Sequence, residues 1–195
     1  SAAEQLLQFG DNTDGMSFFP WPGDPDRALM AINNEYVNYR YLLAHGGLPK
    51  SAEDVRKAQN AEGVTVIEVR RGGDGWAFVQ GSPYNRRVHG NLPIEVSGPA
   101  RGHELLKTEA DPLGIEVLGT FQNCSSGKTP WGTYLTCEEN FSDCFGSSDA
   151  NLQFTPDQKR FSVLHASAEN EWHRFDPRFD ICLLYTSDAA DEGLG

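Results

Sequence analysis

Thr129-Pro-Trp-Gly-Thr-Tyr-Leu-Thr-Cys-Glu-Glu-Asn140 is the stretch on which the reading of this chain turns. From Gly132 to Glu138 it carries β-branched and aromatic residues entered through a Pro-Trp-Gly turn, the pattern of a buried strand. That strand runs directly into Cys137, Glu138, Glu139 and Asn140, a thiol, two carboxylates and an amide that together offer soft and hard ligand types. Adjacent acids in apolar company repel and are poorly solvated unless a cation neutralises them, so one reading is a metal site. The other is a core cysteine followed by exposed acids, and local chemistry alone leaves both open.

Outward from this strand the chain reads as many short strands. Gly114 to Gln122 is expected to pair with Gly132 to Glu138, joined by Asn123 to Trp131. Val64 to Arg70 and Gly75 to Gln80 form a predicted hairpin about the Gly72-Gly73-Asp74-Gly75 turn. Ala28 to Asn33 is a short apolar run expected as a buried strand that delivers Glu35 at its end, either as a ligand or as an exposed loop acid. Phe9 to Arg27, with Pro20, Pro22, Gly23 and Pro25, reads as a loop. Leu152 to Phe154, Arg160 to His165 and Trp172 to Phe175 read as further strands. The convincing helix is Ser51 to Glu62, capped by Ser51 with Asp54 three residues on, its thin apolar stripe predicting a surface position. Short strands separated by Gly and Pro turns suit a sandwich, a barrel or propeller blades, although no repeat of propeller length is visible.

Composition narrows the function. The 195 residues carry a net charge of -12 and 38% hydrophobic residues, and no apolar run approaches a membrane span. The acidic balance argues against nucleic acid and anionic membranes and suits a protein that gathers cations. Ser1-Ala2-Ala3-Glu4 has neither the charged start nor the apolar core of a signal peptide. The four cysteines, Cys124, Cys137, Cys144 and Cys182, include no Cys-x-x-Cys pair, so a zinc knot is a weak reading. The five histidines are scattered and read as structural or exposed. Asp11 and Asp14 are read first as Asx-turn residues. Arg86 and Arg87 cannot both meet one ligand, because strand neighbours face opposite ways, and they read as a solvated pair.

Four blocks together resemble the PhoX family of bacterial alkaline phosphatases. They are Phe121 to Phe141, the acidic and aromatic Gly10-Asp-Asn-Thr-Asp-Gly-Met-Ser-Phe-Phe-Pro20, Asn33-Asn34-Glu35-Tyr36-Val37-Asn38, and Ser97-Gly98-Pro99-Ala100 with His103 and Leu105-Leu106-Lys107-Thr108. Asn34 stands where the family usually has histidine. The resemblance implies an all-β fold, an incomplete β-propeller with only its leading blades and one short surface helix. It implies a secreted, metal-dependent phosphomonoesterase acting on phosphate monoesters at a cluster of iron(III) and calcium. Its thiolate iron ligand maps onto Cys137, with Glu35, Glu138 and Glu139 as oxygen ligands and Asn123 as an amide facing the phosphate. Such ions take the phosphate's negative oxygens and make bound water more acidic, and calcium wants a carboxylate-rich set.

The resemblance also implies a periplasmic or extracellular location reached by twin-arginine export. Family members are longer, so residues 1–181 are expected to be the N-terminal part of a propeller, inactive without the missing ligands. A non-catalytic calcium-binding propeller, or a propeller hydrolase acting on another ester, is the alternative. Cys182-Leu-Leu-Tyr-Thr-Ser-Asp-Ala-Ala-Asp-Glu192 resembles a translated sequencing adapter. Residues 182–195 are therefore expected to be a disordered, non-native tail, and leaving out Asp188, Asp191 and Glu192 keeps the remainder acidic.

Overall fold

The computed structural model describes residues 1–108, 110–165 and 169–186. It divides into two compact units. The first comprises Ser1–Gly46, Arg56–Leu92 and Gly119–Glu139, and the second Gly47–Val55, Pro93–Leu118 and Asn140–Gly195.

The first unit is built on an antiparallel sheet. β1 (Thr13–Trp21), β2 (Asp24–Asn34), β3 (Gly63–Gly72) and β4 (Gly75–Phe78) lie in that order, and β5 (Arg86–Val88) pairs with the other end of β3. The β3–β4 hairpin turns where expected, with Gly72 opposite Gly75. β2 is longer than its apolar run, because Asp24 to Arg27 also pair, within a hairpin whose other arm is β1. The Pro-rich stretch from Phe9 to Arg27 is therefore largely strand and not loop. Pro20 is tolerated because β1 is an edge strand, and Pro22-Gly23 is the hairpin turn, Gly23 supplying a φ of 79°. The core of the sheet is Ala31, Val64 and Val66, packed by Phe19, Leu29, Val88 and Tyr134.

A second hairpin of this unit carries the motif residues. β8 (Asn123–Lys128) pairs with β9 (Tyr134–Glu138) around the Thr129–Thr133 turn, where Thr129 N–H donates to Thr133 O at 2.9 Å. Residues Asn123 to Lys128 thus form the strand partner, not the connection. Their Ser and Gly content reads as loop, and only the pairing with β9 makes them extended. The partner expected for β9 goes elsewhere: β7 (Glu116–Gly119) pairs with β6 (Leu92–Glu95).

The helix Ala52–Ala61 has the expected cap, Asp54 N–H donating to Ser51 Oγ at 3.1 Å. Its last turns are not on the surface, since Ala58, Gln59, Asn60 and Ala61 are buried. In the second unit the expected strands beyond Leu152 give way to a helix, Pro156–Arg160, and a turn of 3-10 helix, Trp172–Arg174. The helix starts at the capping box Thr155–Gln158, a start signal that outweighs the weak strand pattern around it. Trp172 is fully buried against Phe179, their rings 4.9 Å apart. The region expected as a tail begins inside the helix Ile181–Thr186, and residues 187–195 lie outside the described residues. The fold is mostly β-sheet, and no sheet closes into a barrel among the described residues. No described helix is long and apolar enough to cross a membrane.

One buried ion pair braces the sheet. Arg27 spans the Glu68 carboxylate, Nε to Oε1 at 2.7 Å and Nη2 to Oε2 at 3.1 Å, while Ser82 Oγ donates to Oε2 at 2.6 Å. The guanidinium also lies 3.4 Å from the Trp21 ring centre. These bonds, those from Arg27 first and Ser82 second, pull the Glu68 carboxyl down to about 2. A depressed carboxyl contributes stability that is fully present above its unfolded value of 4.5 and lost as pH falls toward about 2. Glu68→Gln should therefore flatten the acid-side fall in stability over that window, measured by denaturant midpoints across the acid range.

Candidate metal centre

Three ligand-type side chains meet in the first unit. Asp14 of β1, Glu35 just past β2 and Cys124 of β8 place their ligand atoms within 4.8 Å of one another. The Cys124 thiol also donates toward the Glu139 carboxylate.

The fold brings them together through one buried amide. Asn33, with no exposed surface, donates from Nδ2 to Cys124 O at 2.7 Å and to Ser125 O at 3.2 Å. Its Oδ1 accepts from Thr136 Oγ1 at 2.9 Å and lies 2.9 Å from the Tyr134 hydroxyl. The end of β2 is thereby tied to both arms of the β8–β9 hairpin. Gly15 lets β1 run close alongside, since a Cβ there would strike Cys124 O and the Ser126 side chain. Glu35 is anchored by its own N–H, which donates to Asn12 O at 2.9 Å.

The electrostatics match a site made for a cation. Burial first, then the charges of Asp14 and Glu139, raise the Glu35 carboxyl above its ordinary value. The hydrogen bonds of the Cys124 thiol to Asp14 and then Glu139, with burial and the Glu35 charge, push it up to about 12. The Glu35 carboxyl and the Cys124 thiol both hold their protons more tightly than usual, because burial and negative neighbours disfavour their charged forms. A bound cation reverses that, and one sulfur among hard oxygens suits a transition metal, while the carboxylates suit calcium.

The other predicted residues have different surroundings. Cys137 is exposed and outside this group. Tyr134 and Thr136 turn toward Asn33, so the pleat sends Cys137 to the opposite face of β9. The thiol that joins Glu35 is Cys124, which has no acid beside it in sequence to mark it as a ligand. Glu138 Oε1 accepts from Thr120 Oγ1 at 2.6 Å and Phe121 N–H at 3.3 Å. Glu139 is exposed, and its N–H donates to Gln122 O at 2.9 Å. Asn123 is fully buried, its Nδ2 donating to Thr120 Oγ1 at 3.0 Å and Thr136 Oγ1 at 3.1 Å, with no partner for Oδ1 among the described residues. Asp11 binds backbone, accepting from Asn12 and Asn38 N–H, whereas Asp14 joins the group.

Arg86 and Arg87 do face opposite ways, but they are not a solvated pair. Arg86 reaches Tyr84 O, and the largely buried Arg87 donates to Asn34 Oδ1, Thr65 Oγ1, Asn60 O and Glu62 O. His89 and His103 accept backbone N–H groups of Asn91 and Leu105 through Nδ1.

An antiparallel β scaffold here brings a thiol together with carboxylates, a donor set that could hold a metal ion. The family model of alkaline phosphatase PhoX matches residues 1–191. The solved structure of Pseudomonas fluorescens PhoX in complex with vanadate, a transition state analogue, is similar at 67% identity with a TM-score of 0.92, over 95% of this chain and 32% of that one. The chain belongs to the alkaline phosphatase PhoX family, and it spans about a third of the length of that relative. A comparison with curated proteins finds no match.

Two measurements check the site. Asn33→Ala strands the Cys124 carbonyl and the Thr136 hydroxyl, and should cost about 3 kcal/mol in urea unfolding. Cys124 should be alkylated slowly by iodoacetamide at pH 8 in the metal-free chain, because its thiol stays protonated until about pH 12. Asp14→Asn with Glu139→Gln should speed that alkylation, read residue by residue by mass spectrometry.

Proposed function

We propose that this chain is the N-terminal part of a metal-dependent phosphomonoesterase in which Cys124, Asp14, Glu35 and Glu139 hold a catalytic cation. The observation that carries the reading is the convergence of one thiol and three carboxyl groups in a member of the PhoX family. Iron(III) fits the thiolate, and calcium fits the carboxylates beside it, Glu138 included. A bound cation of this kind supplies electrophilic stabilisation of phosphate oxygens and a more acidic water.

This chain's residues supply the frame for that chemistry. Asn33 fixes the separation of the Glu35 and Cys124 backbones. Asn123, next to Cys124, is the amide we assign to the phosphate side of the site: its Nδ2 holds Thr120 and Thr136, and its buried Oδ1, without a partner among the described residues, is an acceptor that a cation beside the phosphate would satisfy. Glu138, held by Thr120 and Phe121, is a further oxygen ligand in this reading. The vanadate bound by the solved relative supports a phosphate ester as the substrate class. The antiparallel sheets are, in this reading, leading blades of a propeller completed by further chain, and the protein works in the periplasm or outside the cell.

The full-length protein tests the reading. Cys124→Ala should remove most bound metal, measured by inductively coupled plasma analysis, and lower kcat/KM for p-nitrophenyl phosphate by on the order of 100-fold. Cys137→Ala should leave both intact. The reverse pattern would move the thiolate ligand to Cys137, and equal activity in both variants would sink the thiolate site. The 195-residue chain alone should show no robust turnover, since it supplies only part of a multi-ion ligand set.

A further inference from the structure

We propose that Glu62, at the junction of the helix Ala52–Ala61 and β3, is a positioning residue for the metal centre. By accepting the Gln122 N–H, its carboxyl holds the backbone that presents Cys124 and Glu139. The inference rests on the metal-centre reading above and adds to it a residue outside the group of Asp14, Glu35 and Cys124.

Gln122 is the place where this backbone needs holding. It sits one residue before the Asn123-Cys124 step at a φ of 54°, the left-handed region that a residue with a Cβ adopts reluctantly. Its two peptide groups are clasped from opposite directions. Glu62 Oε2 accepts its N–H at 3.2 Å, and its carbonyl accepts the Glu139 N–H at 2.9 Å. Cys124 and Glu139 thus take their positions from one strained residue, and the side-chain anchor of that residue is Glu62.

A carboxyl at this position makes little sense as packing. Glu62 has no exposed surface, and its Oε1 has no partner among the described residues. An apolar side chain of similar size would fill the space without the desolvation penalty. Burial, opposed by the bond from Gln122, raises its proton affinity well above the ordinary carboxylate value, which favours a neutral acid serving as a hydrogen-bond acceptor. The backbone of the same residue reaches the other half of the site. Arg87 Nη2 donates to Glu62 O at 2.7 Å, while its Nη1 donates to the side chain of Asn34, the residue before Glu35.

The test compares Glu62→Gln, which keeps an acceptor oxygen, with Glu62→Leu, which keeps the volume and loses it. The first readout is hydrogen exchange of the metal-free chain. E62L should speed exchange of the Gln122 and Glu139 amides by about tenfold, leaving Gly127 and Lys128 of the same hairpin unchanged, and E62Q should not. The second is Co2+ titration of the full-length protein, followed by the thiolate-to-cobalt charge-transfer band. E62L should bind about tenfold more weakly, and E62Q should bind like the unaltered chain. Equal exchange and equal Co2+ affinity in a folded E62L overturn the inference alone. Absence of the band in the unaltered full-length protein overturns the metal-centre reading and this inference with it. If E62L does not fold, E62Q decides: retained protection and affinity support the clasp, and loss of either overturns it.

Discussion

The amide of Asn33 is the constraint from which the site follows. Buried with no exposed surface, it must find partners for both donors and its acceptor, and it finds them on both arms of the β8–β9 hairpin. An apolar residue there would let the hairpin slide along the end of β2. The amide admits one register, which sets Cys124 beside Glu35. Tyr134 extends the same constraint to β1, its hydroxyl lying 3.0 Å from the carbonyl of Gly15, the residue after Asp14. The β1–β2 hairpin and the β8–β9 hairpin, distant from it in sequence, are thereby locked at one point, and the ligand atoms converge there as a consequence of polar satisfaction.

The converged groups are poorly matched to one another without a cation. Glu35 is raised by burial and by its acidic neighbours, and Cys124 is held protonated by the carboxylates it donates to. Ordinary selection for stability would disperse or neutralise such a set, as the fold does elsewhere with arginines. The net charge of -12 points the same way at the scale of the whole chain, but the local crowding says where a cation belongs.

Much of the sheet was legible because its signals are local. β2 and β3 carry apolar runs, the β3–β4 turn is rich in glycine, and the helix Ala52–Ala61 announces its cap. β1 and β8 were not legible, since proline in one and serine and glycine in the other mimic loops, and an edge position and a pairing partner make them strands. The thiol that meets Glu35 was not legible for a related reason. Cys137 stands next to two acids in sequence, yet the pleat of β9 turns it away from Asn33, while Cys124 meets Glu35 only through tertiary contact. Asn33 itself looked like the polar end of an apolar run, with nothing local to mark it as a hub.

Two carboxylates buried in the same unit show why Glu62 stands apart. Glu68 accepts from Arg27 and Ser82 and is pulled down to about 2, so its burial is compensated and its role is bracing. Glu62 accepts one backbone N–H, keeps an oxygen without a partner among the described residues, and is raised instead. The fold has a buried guanidinium close by in Arg87, yet that group donates to the Glu62 backbone carbonyl and not to the carboxyl. The Glu62 carboxyl is thus not half of an ion pair among the described residues. What remains for it is the single bond it does make, to the strained residue from which Cys124 and Glu139 hang.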